Sequence, residues 1–199
     1  MRIIAGQAHG RKLKAPRGLK TRPATARARE SIFSRLLVRL DFEGLRVLDI
    51  FAGSGSLGIE ALSRGAAHAT FVDSSKASAA AIRENLRALG FAANGTVINS
   101  DLRRAMPELS AAGKTFGLAF IDAPYANDIS AEVLRMLAEL SLLGAGGWVV
   151  IRQSKRAPEP PSPPQGFVQF KVAMVGDHRI AFYRRPEGAE NRGGLSDGE

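Results

Sequence analysis

Between residues 46 and 152 the chain repeats one pattern. A short apolar run gives way to glycine or a small polar residue, and then to apolar positions spaced three and four apart. The apolar runs are VLDIF at 47–51, ATFVD at 69–73, TVINS at 96–100, FGLAFID at 116–122 and GWVVIR at 147–152. Runs this short, with apolar residues in succession, predict strands buried on both faces. Helices are predicted from Leu57 to just before Gly65, and from a cap at Ser74 or Ser75 to Leu89 with Gly90 as the stop. Two more are predicted over 102–109 and 129–143. Strands alternating with helices call for a parallel sheet covered on both sides.

The pattern changes at both ends. Residues 157–166 hold five prolines, an extended connection. Apolar residues over 167–175 and 179–184 then bracket Gly176-Asp177, which predicts a closing hairpin. Residues 186–199 are polar and glycine-rich and read as a disordered tail. At the other end, Ile3 and Ile4 suggest a short strand, followed by a basic stretch broken by Pro16, Gly18 and Pro23. Thr25 is a candidate cap for a helix running to about Leu40, with Ile32, Phe33, Leu36, Leu37 and Leu40 on its apolar stripe.

Charge sharpens the division. Of the net +9, residues 1–39 carry +10 and the remaining 160 sum to −1. A basic segment joined to a near-neutral domain points to a polyanion, with Arg11, Lys12, Lys14, Arg17, Lys20, Arg22, Arg27 and Arg29 as candidate contacts. The absence of cysteine excludes disulfides and thiolate metal sites. His9, His68 and His178 have no metal-site spacing, so no metal is expected. Without an apolar run of about 18 residues, the chain is expected to be cytoplasmic, away from membranes and a monomer.

The candidate chemistry starts at the first strand. Gly53-x-Gly55-x-x-Gly58 follows it and opens a helix, and Asp73 stands 20 residues after Gly53. That spacing matches a dinucleotide fingerprint, a signal of low specificity by itself. Asp49 lies inside the apolar strand, where a carboxylate is costly without a partner. A cationic ligand or a turn amide would explain it, and S-adenosylmethionine supplies the cation. Asp49, Asp73, Asp101 and Asp122 fall at successive strand ends, which line one crevice in an open parallel sheet.

On these residues a resemblance can be stated. Asp49-Ile-Phe-Ala-Gly-Ser-Gly55 resembles motif I of the Rossmann-like S-adenosylmethionine methyltransferases. Asp122-Ala-Pro-Tyr125 resembles the Asp/Asn-Pro-Pro-Tyr motif of those that act on planar exocyclic nitrogens. With MRIIAG at 1–6, GRKL at 10–13, Thr21–Pro23, the Arg27–Glu30 segment, the run 49–66 and GDHRIAFYR at 176–184, the chain is similar to the bacterial 16S rRNA guanine-N2 methyltransferases of the small-subunit methyltransferase D type. The likeness spans about 1–185. The chain departs from it at Ala123, where the family has proline, and at Ala24 and Ala26, near which it has a second Thr and an Asp. It also has Arg152-Gln153 where the family often has Glu-His.

The resemblance implies an α/β Rossmann-like methyltransferase sandwich: a mostly parallel seven-stranded sheet with an antiparallel last strand and a basic N-terminal extension. It implies an RNA-binding arm and mounting helix at 1–40, the methyltransferase domain at 41–185 and the tail at 186–199. Implied cofactor contacts are Asp49, Phe51, Ala52, Gly53, Ser54, Gly55, Asp73, Ser74, Asp101, Leu102 and Asp122. Asp73 would bind ribose hydroxyls, and Asp101 with Leu102 the adenine. The implied catalytic set is Asp122, Ala123, Pro124 and Tyr125, and residues 21–25 would cover the methionine end. The implied reaction is methyl transfer to guanine N2 in rRNA of an assembled or partly assembled small subunit. Another planar amine (adenine N6, cytosine N4 or a protein glutamine), an inactive RNA-binding assembly factor and an NAD enzyme are the competing readings.

Overall fold

The computed structural model describes residues 1–16, 26–123 and 129–188. After helix α1 (Ala26–Leu37), the chain runs β1 (Arg46–Ile50), α2 (Ser56–Ser63), β2 (His68–Val72), α3 (Lys76–Leu89), a 3-10 turn at Ala92–Asn94, and β3 (Gly95–Ile98). It continues through α4 (Leu102–Ala111), β4 (Phe116–Ile121), α5 (Ser130–Glu139), β5 (Leu143–Ser154), β6 (Val168–Val175) and β7 (His178–Arg184). These strands form one sheet in the order β3-β2-β1-β4-β5-β7-β6. The first five are parallel, and β7 inserts antiparallel between β5 and β6. The sandwich architecture is therefore that of the Rossmann-like methyltransferases, with its reversal of strand order at β1/β4.

Alternation along the strands makes two cores. Val47, Leu118, Phe120, Trp148, Val150, Ile180 and Phe182 face one side, with α1, α2 and α3. Leu48, Ile50, Ala119, Ile121, Val149, Ile151, Ala181 and Tyr183 face the other, with α4 and α5. Ser75, not Ser74, caps α3: its hydroxyl accepts from the Ser78 amide at 3.3 Å. The last predicted helix is shorter than its apolar spacing suggests. It ends at Glu139 because Ser141 takes a φ of 51°, and the chain enters β5 at Leu143. Helix α1 likewise ends at Leu37, with Arg39 and Leu40 amides closing on the Leu36 carbonyl. Its predicted cap, Thr25, lies outside the described residues.

Residues 1–14 form a small hairpin closed by the Arg2–Lys12 bridge. Ile3, Ala8 and Leu13 are buried in the same core as α1–α3. Polar groups on α2 and α3 fasten it. The buried Glu60 carboxylate accepts from the amides of Ile4 (2.8 Å) and Ala5 (3.1 Å) while pairing with Arg64 at 2.9 Å. Ser63 accepts from Ala8 N at 2.9 Å and donates to the Ala5 carbonyl at 2.6 Å. The backbones approach so closely that a Cβ on Gly6 would lie 1.7 Å from the Ser63 carbonyl oxygen. Asn85 holds the amide and carbonyl of Lys14 at 2.8 and 3.0 Å.

Candidate active site

The segment from β1 to α2 is held by its own backbone. The amides of Phe51 and Ala52 both donate to the Val72 carbonyl, at 3.0 and 3.3 Å. Phe51 sits at φ 60°, a left-handed conformation that costs a non-glycine residue about 1–3 kcal/mol and clusters at functional sites. Gly55 follows at φ 75° and begins α2. Its neighbour Ser54 is buried, and the Ser54 carbonyl accepts from Asn85 Nδ2 at 3.0 Å. One asparagine thus ties the glycine loop to the N-terminal hairpin. Gly58 lets α2 lie on the sheet: a Cβ there would stand 2.4 Å from Phe71 Cε1.

That close approach explains Asp49. Its carboxylate, 1% exposed, accepts from the Gly58 amide at 2.9 Å. The turn-amide explanation for a buried acid is therefore present. Burial still pushes the Asp49 pKa well up; the Gly58 hydrogen bond opposes this, and the charges of Asp122 and Asp73 add to it. Asp73, half-buried after β2, accepts from Gly53 N and Ser75 N, both at 2.8 Å, one on each oxygen. A carboxylate offers about four lone-pair sites, so hydroxyl donors can still be accepted. Asp101 is exposed and caps α4 through the Arg103 amide at 2.8 Å, beside buried Leu102. Ser74 is exposed, and Ala52 is buried.

Asp122 follows β4, and its amide donates to the Ile50 carbonyl at 3.3 Å. Its carboxylate is gripped by a side chain. Arg152 Nη2 lies 2.6 Å from one oxygen and 2.7 Å from the other. Arg152 Nη1 is 3.1 Å from His178 Nδ1. Arginine cannot accept, so Nδ1 is the acceptor and the imidazole carries its proton elsewhere. The sequence marks Arg152 only as a departure from the family's pattern and does not reveal its partners, Asp122 and His178; His178 follows the Gly176-Asp177 turn, opens β7 and is buried. The signal was a charged residue ending an apolar strand, which needs a partner when buried. Ala123 is half-buried; Pro124 and Tyr125 lie outside the described residues.

Asp49 feels the charges of Asp122 and Asp73, and the Gly53 amide lies beside Asp73. Carboxylates for cationic centres and for ribose hydroxyls, behind a glycine turn at a helix N-terminus, fit S-adenosylmethionine.

The basic candidates separate. Arg11, Lys12, Lys14 and Arg27 are exposed. Arg11 also donates to the Ala88 carbonyl at 2.7 Å, and Lys14 pairs with Glu84. Arg17, Lys20 and Arg22, like all of residues 21–25, lie outside the described residues. Arg29 corrects the expectation that it contacts a polyanion. It is 1% exposed, donates to the Arg2 carbonyl at 2.7 Å and lies near Glu60, whose charge opposes the lowering of its pKa by burial. It fastens the hairpin from within.

The family described as Conserved hypothetical protein 95 matches residues 1–184. The chain belongs to that family. It is 33% identical over 192 residues to the Ribosomal RNA small subunit methyltransferase D of Escherichia coli K12, covering 96% of this chain and 93% of the relative. It is 35% identical over 185 residues to YlbH of Bacillus subtilis, covering 93% and 99%. The solved structure of Escherichia coli yhhF superposes with a TM-score of 0.78 at 33% identity, covering 94% of this chain and 98% of that one. Membership of this family spans both the N-terminal hairpin and the β6–β7 closing hairpin, so neither is an addition to the family fold.

Proposed function

We propose that this protein is an S-adenosylmethionine-dependent rRNA methyltransferase that modifies the exocyclic N2 of a guanine in the small subunit, assembled or partly assembled. The observation that carries the reading is Asp122. It stands at the end of β4, on the carboxyl edge shared with Asp49, Asp73 and the glycine loop, and it opens a tetrapeptide of the amino-methyltransferase type. The relatives named for small-subunit rRNA methylation support the substrate class.

The chemistry asks for what this edge can offer. An aromatic amine has its lone pair drawn into the ring and is a weak nucleophile. Asp122 and the Ala123 carbonyl accept its two N–H groups, turn the lone pair toward the methyl and stabilise the positive charge that develops on nitrogen. Asp73, oriented by the Gly53 amide, would hold the ribose side of the cofactor, and Asp101 with Leu102 its adenine. When bound, S-adenosylmethionine supplies an electrophilic methyl. Asp122 and the Ala123 carbonyl would hold the amine in line with that methyl, whose bond to sulfur would break with its electron pair left on sulfur, and the amine proton would leave to solvent. Orientation carries much of the rate. Replacing the family proline with Ala123 keeps the accepting carbonyl.

A paired guanine hides N2, so the base must be unpaired or flipped out. Arg11, Lys12, Lys14 and Arg27 supply exposed cations for the RNA backbone. The test is transfer of labelled methyl to unmodified small subunits, naked rRNA and DNA, with nucleoside products identified by mass. N2-methylguanosine from the ribosomal substrate is expected. Another methylated nucleoside would overturn the specificity, and cofactor binding without transfer to any substrate would favour an inactive assembly factor.

A further inference from the structure

We propose that Arg152 is a positioning residue for the transfer: it locks the Asp122 carboxylate in place and sets the charge of the edge that receives the cofactor. The inference rests on the methyltransferase reading above. Its basis is register. Ile121 pairs with Ile151 in the β4–β5 ladder, so the next residues, Asp122 and Arg152, emerge side by side. Strand alternation puts Asp49, Asp122, Arg152 and His178 on the sheet face that also carries Val47, Phe120, Val150 and Ile180. A row of acid, acid, base and imidazole thus crosses the carboxyl edge, in strand order β1, β4, β5 and β7.

Arg152 is 5% exposed, and its Nη2 touches both Asp122 oxygens while Nη1 touches His178. A guanidinium bridging both oxygens fixes the rotation of the carboxyl plane and leaves the remaining lone pairs as acceptors for an amine. His178, on β7, restrains the guanidinium from behind. The same cation is paired with the Asp122 carboxylate whose charge reaches Asp49. S-adenosylmethionine bears a sulfonium, and the product S-adenosylhomocysteine bears a neutral thioether. A site whose charge is balanced by Arg152 discriminates less between them, and releases the sulfonium's competitor more slowly, than a site left with uncompensated carboxylates.

The experiment compares wild type with Arg152→Gln and Arg152→Lys. Calorimetry gives Kd for S-adenosylmethionine and S-adenosylhomocysteine without RNA, and steady-state kinetics gives kcat and KM with unmodified small subunits. Arg152→Gln is expected to lower kcat roughly 10–100-fold with the RNA KM nearly unchanged, and to shift the Kd ratio about tenfold toward the sulfonium form. Lysine keeps a charge but not the fork, so Arg152→Lys should restore the ratio and only part of kcat. Equal weakening of both cofactor forms, with a lower Tm and an unchanged ratio, would reduce Arg152 to a structural role and overturn the proposal. So would wild-type kcat in Arg152→Gln. Should Arg152→Gln not fold, the Lys variant decides: wild-type kcat in it removes the fork argument. The ratio is read without RNA, so it decides the charge role even if the wild type methylates nothing, an outcome that would instead overturn the proposed function.

Discussion

The two halves of the sheet hold their acids differently. On the β3-β2-β1 side, backbone amides do it: Gly58 for Asp49, Gly53 and Ser75 for Asp73, Arg103 for Asp101. At the β4-β5-β7 side a side chain does it, Arg152 for Asp122, with His178 behind. Amides set by a glycine turn cannot rotate away, and they bring no net charge. An arginine brings a full charge and depends on packing from another strand. The first arrangement suits a ligand-binding wall that must stay rigid. The second suits a group whose charge and aim decide a reaction.

The sharpest way to break this comparison is Asp122→Ala. If Asp122 acts on the reacting amine and is not a wall of the cofactor site, transfer should fall by about 10²–10³-fold, while the Kd of the uncharged thioether form, S-adenosylhomocysteine, stays within a few-fold. Rapid-quench transfer assays and calorimetry on the same preparation measure both. A large loss of cofactor affinity with it would place Asp122 on the binding wall and erase the distinction between the halves.

Asp73→Ala tests the other half and should do less to chemistry. Hydrogen bonds to a carboxylate contribute about 1.5–3 kcal/mol, so a loss of that size in total at the ribose should weaken cofactor binding about 10–100-fold. With cofactor saturating, kcat should be nearly that of the wild type. Unchanged affinity in a titration would remove Asp73 from the cofactor site, leaving its bonds to Gly53 and Ser75 as its whole role.

The same contrast governs what the sequence could disclose. The glycine loop was legible because its parts are local: strand, turn, helix and Asp49 lie within a dozen residues, and each has a periodicity or a residue type that announces it. The alternating strands and the closing hairpin were legible for the same reason. The contacts of Arg152 with Asp122 and His178 were not, because they depend on a register across three strands, between residues 30 and 26 apart in sequence. Nor was the docked hairpin. Glu60, Ser63 and Asn85 look like ordinary polar helix residues until the chain they fasten is in place. Arg29 was misjudged by its charge, although its spacing held the answer: three and four residues before Ile32 and Phe33, it lies on the buried stripe of α1.

The smallest predicted effect isolates the charge on the backbone-held side. Asn in place of Asp49 keeps a carbonyl oxygen for the Gly58 amide and removes the ionisable group. In the wild type, burial and the charges of Asp122 and Asp73 outweigh the Gly58 bond and raise the folded-state pKa above the usual carboxylate value. At a pH below about 3.9 the acid is protonated in both folded and unfolded chains, and its titration contributes nothing to a stability difference between wild type and Asp49→Asn. As pH rises, the unfolded chain ionises first, so the wild type loses stability relative to the variant until the pH passes the raised folded value; the difference then levels off. Any fixed offset from burying an amide shifts both ends of this curve equally, so the slope carries the information. Denaturant unfolding of both proteins across pH 4–8 without cofactor measures it. A flat difference would mean that the Gly58 amide compensates Asp49 fully, and that the acids on the two halves of the sheet do not sense each other.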